Sequence, residues 1–306
     1  MRILVTGGAG FIGSHIAQAY ADAGHEVAVL DSLFSGHEEN VPDGVSLLRA
    51  DVRSAEGADA VADFAPEVIN HHAAQMNVRV SVDDPLFDAD VNILGLINII
   101  ERARKSGLKR VLFASSGGTV YGEPETLPAT EEFETHPVCP YGVSKLTSEH
   151  YLYYYSRIHG VDYVALRYSN VYGPRQDPHG EAGVIAIFCQ NLLADKDVTI
   201  FGDGLQTRDY VFVGDVVRAN VAALEGDFRG SVNIGTGKES NVVELYDRVK
   251  ELVGGKGKAV HGPAKDGEVR RNVLDVSKAG AVLGWTPTTE LSAGLVSTVD
   301  FFRTRS

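Results

Sequence analysis

The 306-residue chain sets 28 basic against 41 acidic side chains, a net charge of −13, and its 44% apolar and 23% charged residues are ordinary globular composition. This disfavours a nucleic-acid partner while leaving room for a small basic cleft, and no apolar run approaches the length of a membrane span. The only cysteines, Cys139 and Cys189, make neither a disulfide framework nor a metal cluster, so a reduced, cytoplasmic chain with no metal is expected.

Met1–Thr6 is a short apolar run, followed by Gly7-Gly-Ala-Gly10-Phe11-Ile12-Gly13 and then a helical pattern in Ile12, Ile16, Ala17, Tyr20 and Ala21. This reads as strand, glycine turn and helix. Gly7 permits the turn, Gly10 lets backbone approach a pyrophosphate, Gly13 lets helix and strand pack closely, and the helix amino end offers unpaired N–H groups. A second strand, Glu26–Leu30, ends at Asp31, 18 residues past Gly13, where a carboxylate suits a ribose diol and repels a 2′-phosphate. That favours NAD over NADP. Asp51-Val52 follows a third run, Val45–Leu48, and could meet an adenine amine.

Strand-like runs recur at Ile3–Thr6, Val27–Leu30, Ser46–Leu48, Val68–His71, Arg110–Ala114 and Tyr163–Tyr168, separated by helices or loops. The pattern predicts an α/β fold, a doubly wound parallel Rossmann-like sheet with a smaller mixed α/β domain. Helices are expected over Asp84–Lys105, leaving at Gly107, and over Gly142–His159, stopping at Gly160. The tyrosines at 151, 153, 154 and 155 cannot share one side of the second helix. Residues 1–174 read as the dinucleotide domain, with 212–236 returning to it; 175–211 and 237–306 read as the second domain, a cleft between the two holding the second ligand. No early leader is expected, because the glycine turn begins so near the first residue.

Tyr141-Gly-Val-Ser-Lys145 sets a phenol and an ammonium four residues apart, on one helix face. An unperturbed Tyr is a poor base at neutrality; a neighbouring Lys⁺ is expected to lower its pKa and let it exchange a proton with a sugar hydroxyl.

Gly7-x-x-Gly10-x-x-Gly13, Asp51-Val52, His72-Ala73-Ala74, Asn92, Ser115-Ser-Gly-Gly-Thr-Val-Tyr-Gly122, Tyr141-x-x-x-Lys145, Arg167-Tyr-x-Asn170-Val-Tyr-Gly-Pro174 and Thr207-Arg-Asp-Tyr210 occur in one order. Together they resemble the extended short-chain dehydrogenase/reductase family, and within it the UDP-glucose 4-epimerases and their UDP-N-acetylglucosamine relatives. The resemblance implies that Tyr141 is the acid/base and that Lys145 binds the nicotinamide ribose. Hydride leaves sugar C4 for a tightly held NAD⁺ and returns to the other face of a 4-keto sugar. It implies a cofactor site of Gly7, Gly10, Phe11, Ile12, Gly13, Asp31, Ser32, Asp51, Val52, His72, Ala73, Ala74, Gln75, Asn92, Ser115, Tyr141, Lys145 and Tyr168. It also implies a homodimer built from two long helices per subunit.

The family's third catalytic group, a Ser or Thr at sugar O4, falls on Gly117 here; Ser116 is the expected replacement, with Thr119 as its substitute. Gly117-Gly118 otherwise reads as a turn needing permissive dihedrals. For the UDP-sugar the resemblance implies Asn170, Phe201 near uracil and Arg208 at the diphosphate. Lys265 and Glu268 stand where the family has Arg and Asp, with Arg270 or Arg271 able to take over from Lys265. Asn272 stands at the position beside the sugar C2 substituent. A 4,6-dehydratase would want Asp-Glu where Gly118-Thr119 stands. A decarboxylating synthase, a reductase or a non-catalytic NAD-binding scaffold would keep the same glycine turn, and the intact Tyr141/Lys145 pair argues against the last.

Overall fold

The computed structural model describes residues 1–178, 183–264 and 269–305; Lys265 and Glu268 lie outside the described residues. In chain order the strands are β1 (Arg2–Thr6), β2 (Glu26–Asp31), β3 (Ser46–Arg49), β4 (Val68–His71), β5 (Arg110–Ser116), β6 (Asp162–Tyr168), β7 (Asn170–Tyr172), β8 (Val198–Phe201), β9 (Thr207–Phe212), β10 (Gly230–Ile234), β11 (Glu239–Asn241), β12 (Ala259–Gly262) and β13 (Arg271–Asn272). The helices used below are α1 (Phe11–Asp22), α2 (Ala55–Phe64), α3 (Val78–Asp83), α4 (Pro85–Ala89), α5 (Gly95–Ala103), α6 (Pro140–His159), α7 (Val184–Leu193), α8 (Val213–Glu225) and α9 (Val242–Val253).

Seven strands form one parallel sheet in the order β10-β6-β5-β4-β1-β2-β3. Chain order reverses between β1 and β4, the switch point where such sheets open a crevice at the strands' carboxyl ends. Strand alternation builds the two covering layers. Ile3 and Val5 join Ile16, Ala17, Tyr20, Val216 and Ala219 beneath α1 and α8. Leu4 turns the other way, with Ile69, Leu96, Ile99, Ile100, Leu152 and Tyr155 beneath α5 and α6. Each fully buried Val, Leu or Ile among these stabilises its layer by roughly 1.5–3 kcal/mol. The six strands read from the sequence are present, and Ser231–Ile234 falls within β10 at the edge beside β6.

The segment expected as one helix from Asp84 is broken. Asp84 caps α4 through its side chain, a π-helical turn over Asp90–Leu94 follows, and α5 continues to a short 3-10 turn that leaves at Gly107, φ 99°. The wider turn carries Asn92 inward, and its side chain is 2% exposed. α6 starts with Pro140 after an extended Cys139 and ends on a left-handed Gly160, φ 69°.

The smaller layer centres on β9, flanked by β7 and β13 in parallel and by β11 antiparallel, with β8 and β12 paired apart from it. Phe188, Leu192, Leu245 and Val249 of α7 and α9 fill its core with Leu295 and Val299. Among the described residues no helix is long and apolar enough to cross a membrane.

Candidate active site

The glycine turn has the geometry its spacing implies. Gly7 has φ 67°, and a Cβ there would lie 2.6 Å from Ala73 N. A Cβ on Gly13 would collide with Gly7 O, which is how closely α1 sits on β1. At Gly10 a Cβ would meet only Gly7 O, at 3.2 Å, so the outer side of the turn is open to an approaching phosphate. Phe11 and Ile12 begin α1 behind it. Asp31, 8% exposed, accepts from Ala9 N at 3.0 Å and from Leu33 N at 2.8 Å, which fixes its carboxylate beside the turn with lone pairs to spare. Ser32 beside it is exposed.

Further round the edge, Asp51 is gripped by Arg53 at 2.7 and 3.0 Å, and Val52 turns its side chain into the core while its carbonyl accepts from Asn98. Ala73 N donates to Thr6 Oγ1, and Ala74 follows in the loop leaving β4. Gln75 and Asn92 clasp each other through two backbone–side-chain hydrogen bonds and both donate to Asp88. Ser115 points away from the edge, its hydroxyl donating to Glu149 Oε1 at 2.5 Å. Tyr168 receives a hydrogen bond from Asn220 Nδ2 and lies stacked on His72, 3.2 Å from its Nε2.

Tyr141 and Lys145 occupy consecutive turns of α6, with Lys145 Nζ 5.5 Å from the Tyr141 ring centroid and 4.9 Å from that of Phe113. Tyr141 N donates to Ser81 Oγ at 3.2 Å. Gly142 lets this turn lie against the 119 loop, since a Cβ would meet Pro137 at 2.9 Å and Thr119 O at 3.0 Å. Lys145 is 3% exposed, and burial lowers its pKa to about 8, with the Asp88 carboxylate opposing that fall. Burial, reinforced by Asp88 and then Cys139, pushes the Tyr141 phenol above its ordinary range. No net lowering of the phenol is seen in the free protein, where loss of water around the phenolate, with Asp88 beside it, sets the direction. His71 and His72 are driven to about 3 by burial and, second, by Lys145, so both stay neutral.

Gly117 is excluded as a source of the third hydroxyl for a reason beyond its lack of a side chain. A Cβ there would lie 2.5 Å from Leu274 Cδ1, and neither Gly117 nor Gly118 has positive φ. Glycine at 117 leaves room for the Leu274 methyls and answers no positive dihedral. Ser116 ends β5 opposite Tyr168, and Thr119 Oγ1 is buried without a hydrogen-bond partner.

The β7–β9–β13 sheet brings the other candidates together. Asn170 pairs with Tyr210, and Asn272 pairs with Arg208; Arg208 and Tyr210 are two apart on β9, so all four share one face. Asn272 is 4% exposed with Oδ1 unpartnered, so it does not face solvent. Arg208 Nη1 donates to Thr207 O, and Phe201 closes β8, 38% exposed. Arg270 and Arg271 are each held bidentately, by Asp203 and Glu239 respectively, in exposed ion pairs. Buried polar atoms normally have partners; of the nine without one among the described residues, Thr119 Oγ1, His72 Nδ1 and Asn272 Oδ1 lie at positions singled out from the sequence.

Sequence reasoning missed Asp88, Ser144, Ser148 and Glu149. The signal was present: 141, 144, 145 and 148 form a polar stripe at helical spacing, and Asp88 precedes Asn92 by one turn. Among the described residues no group of His, Cys, Asp and Glu could hold a metal ion.

The sequence profile of the NAD dependent epimerase/dehydratase family matches residues 3–235, and the chain belongs to that family. It is 45% identical over 312 residues to a UDP-glucose 4-epimerase of Mycolicibacterium smegmatis, covering 100% of each chain. A UDP-glucose 4-epimerase of Thermus thermophilus, solved as a complex with NAD, superposes with a TM-score of 0.95 at 46% identity over 99% of both chains. That of Thermotoga maritima, solved with UDP-glucose, gives 0.97 at 44% identity over 100% of this chain and 99% of that one.

Proposed function

We propose that this protein is an NAD-dependent 4-epimerase of UDP-hexoses, interconverting UDP-glucose and UDP-galactose through a transient 4-keto sugar. The observation that carries the reading is the Tyr141/Lys145 pair on α6, a half-buried phenol over a buried ammonium, beside the unpartnered Thr119 hydroxyl. The open outer side of Gly10 and the fixed Asp31 carboxylate fit a dinucleotide diphosphate and its ribose. Bound NAD supplies the hydride acceptor, and then donor, at sugar C4. Tyr141 takes the O4 proton and later returns it, while Lys145 orients the ribose and its charge favours the phenolate that forms. Ser116, or Thr119 in its place, holds O4. Asn170, Phe201 and Arg208, with Lys265 and Glu268, bind the nucleotide and diphosphate, for which a guanidinium fork suits the phosphate oxygens. The 4,6-dehydratase reading lacks the acid pair at Gly118-Thr119. Incubation with UDP-glucose should yield UDP-galactose in the anomeric proton spectrum; a 4-keto-6-deoxy product or no product overturns the reading.

Ser116→Ala should lower kcat by about tenfold or more, the loss of one hydrogen bond to a developing charge, and Thr119→Ala should cost less. The two variants are assayed side by side, and full activity in both excludes either hydroxyl.

Asn272 gates the sugar C2 substituent. It is smaller than the Tyr it stands in for, so UDP-GlcNAc and UDP-GalNAc should be accepted alongside the unacetylated pair. Asn272→Tyr should cut kcat/KM for the acetylated pair alone; equal loss on both pairs removes Asn272 as the gate.

Val143, Tyr151, Tyr154 and Ile158 lie exposed at helical spacing along α6, and Leu86 and Leu94 beside them, whereas Tyr155 is buried. This stripe suits a four-helix homodimer interface. Light scattering at micromolar concentration should give twice the chain mass, and a monomer mass rejects the dimer.

A further inference from the structure

Asp88 is fully buried at the end of α4, and no ion pair among the described residues includes it. Its carboxylate is satisfied by hydrogen bonds from three separate elements. Oδ1 accepts from Gln75 Nε2 at 3.0 Å and Asn92 Nδ2 at 2.9 Å, and Oδ2 accepts from Ser144 Oγ at 2.6 Å. Ser144 adjoins Lys145 and lies one turn from Tyr141, while Ser148 Oγ, one turn further, donates to Asn92 O at 3.0 Å. A neutral polar side chain could have made such contacts at smaller desolvation cost. The retained charge therefore has a use at the neighbouring pair.

We propose that Asp88 is a positioning residue for Tyr141 and Lys145, locking α6 onto the Asn92 turn and supplying the counter-charge that keeps the Lys145 ammonium protonated in its buried setting. The other groups around the pair cannot do this. His71 and His72 at the end of β4 are neutral, and Tyr168 at the end of β6 is held un-ionised by burial. Cys139 at the start of α6 offers a thiol. Glu149 is consumed by Arg167, and Asp90 pairs with Arg53. Arg79, Asp83 and Asp84 lie exposed around α3.

The negative charge holds both Lys145 and Tyr141 higher than burial and the rest of the site would leave them. Its removal therefore lowers both. Turnover that needs a phenolate at 141 and an ammonium at 145 should have both limbs of its pH profile move toward acid, by about one unit in Asp88→Asn. The pH dependence of Lys145 acetylation by acetic anhydride, read by peptide mapping, should move by the same amount and does not depend on turnover. Ser144→Ala keeps the charge and removes one hydrogen bond, so kcat should fall with neither titration displaced. Should Asp88→Asn fail to fold, Asp88→Ser removes the same charge with a smaller side chain and is read identically. An unmoved Lys145 titration in the charge-removing variant, or an equal shift in Ser144→Ala, overturns the role. The activity readout rests on the epimerase reading: wild-type protein inert toward UDP-glucose would refute that reading and leave the lysine titration to decide Asp88.

Discussion

Tyr141→Phe should lose at least about a hundredfold in kcat, the scale of a positioned general acid–base, while the fold and NAD retention survive. The ring remains against Lys145, and the backbone N–H still donates to Ser81, so the substitution removes one oxygen and little else. The raised pKa sharpens the expectation. A phenol pushed up by burial is seldom ionised at neutrality in the free protein, so the charges of Lys145 and of bound NAD⁺ would have to favour the phenolate before it takes the O4 proton. Near-normal steady-state turnover in Tyr141→Phe would remove Tyr141 from the mechanism.

Glu149→Ala should be the most destabilising single change, by about 3–5 kcal/mol in urea unfolding, because it strands the buried Arg167. Glu149 and Arg167 side chains are 6% and 7% exposed. Arg167 Nε and Nη2 grip the carboxylate at 3.0 and 2.7 Å, and Ser115 and Ser231 complete its lone pairs at 2.5 and 2.7 Å. The same guanidinium donates from Nη1 to Tyr121 OH at 2.9 Å, tying β6 to the loop below Thr119. The double variant Glu149→Leu, Arg167→Leu should recover much of the loss, since the desolvated charge goes with its partner. A single-variant loss below about 1 kcal/mol, the scale of an exposed pair, would contradict this account of the network.

The features that sequence made legible are local ones. Buried parallel strands appear as apolar runs, so β1, β4 and β6 were readable nearly to the residue. The glycine turn and the Tyr141/Lys145 spacing carry their chemistry within a few residues. What stayed hidden depends on contacts distant in the chain. Asp88 meets Ser144 across 56 positions, and Gly117 packs against Leu274, far beyond it in sequence. The π-helical turn at Asn92 has no signature in apolar periodicity, and the Ser115 hydroxyl, expected at the cofactor, is bound to Glu149. The direction of the Tyr141 shift escapes sequence reasoning because charge adjacency is visible in sequence and burial of the hydroxyl is not.

The central claim is that one hydride leaves C4 and returns to the same carbon without leaving the protein. Turnover of UDP-[4-²H]glucose in the presence of unlabelled external NADH tests it most directly. UDP-galactose that keeps its deuterium at C4, with none appearing in the external NADH pool, is the predicted result. Loss of deuterium to that pool would contradict the claim and identify a net oxidoreductase.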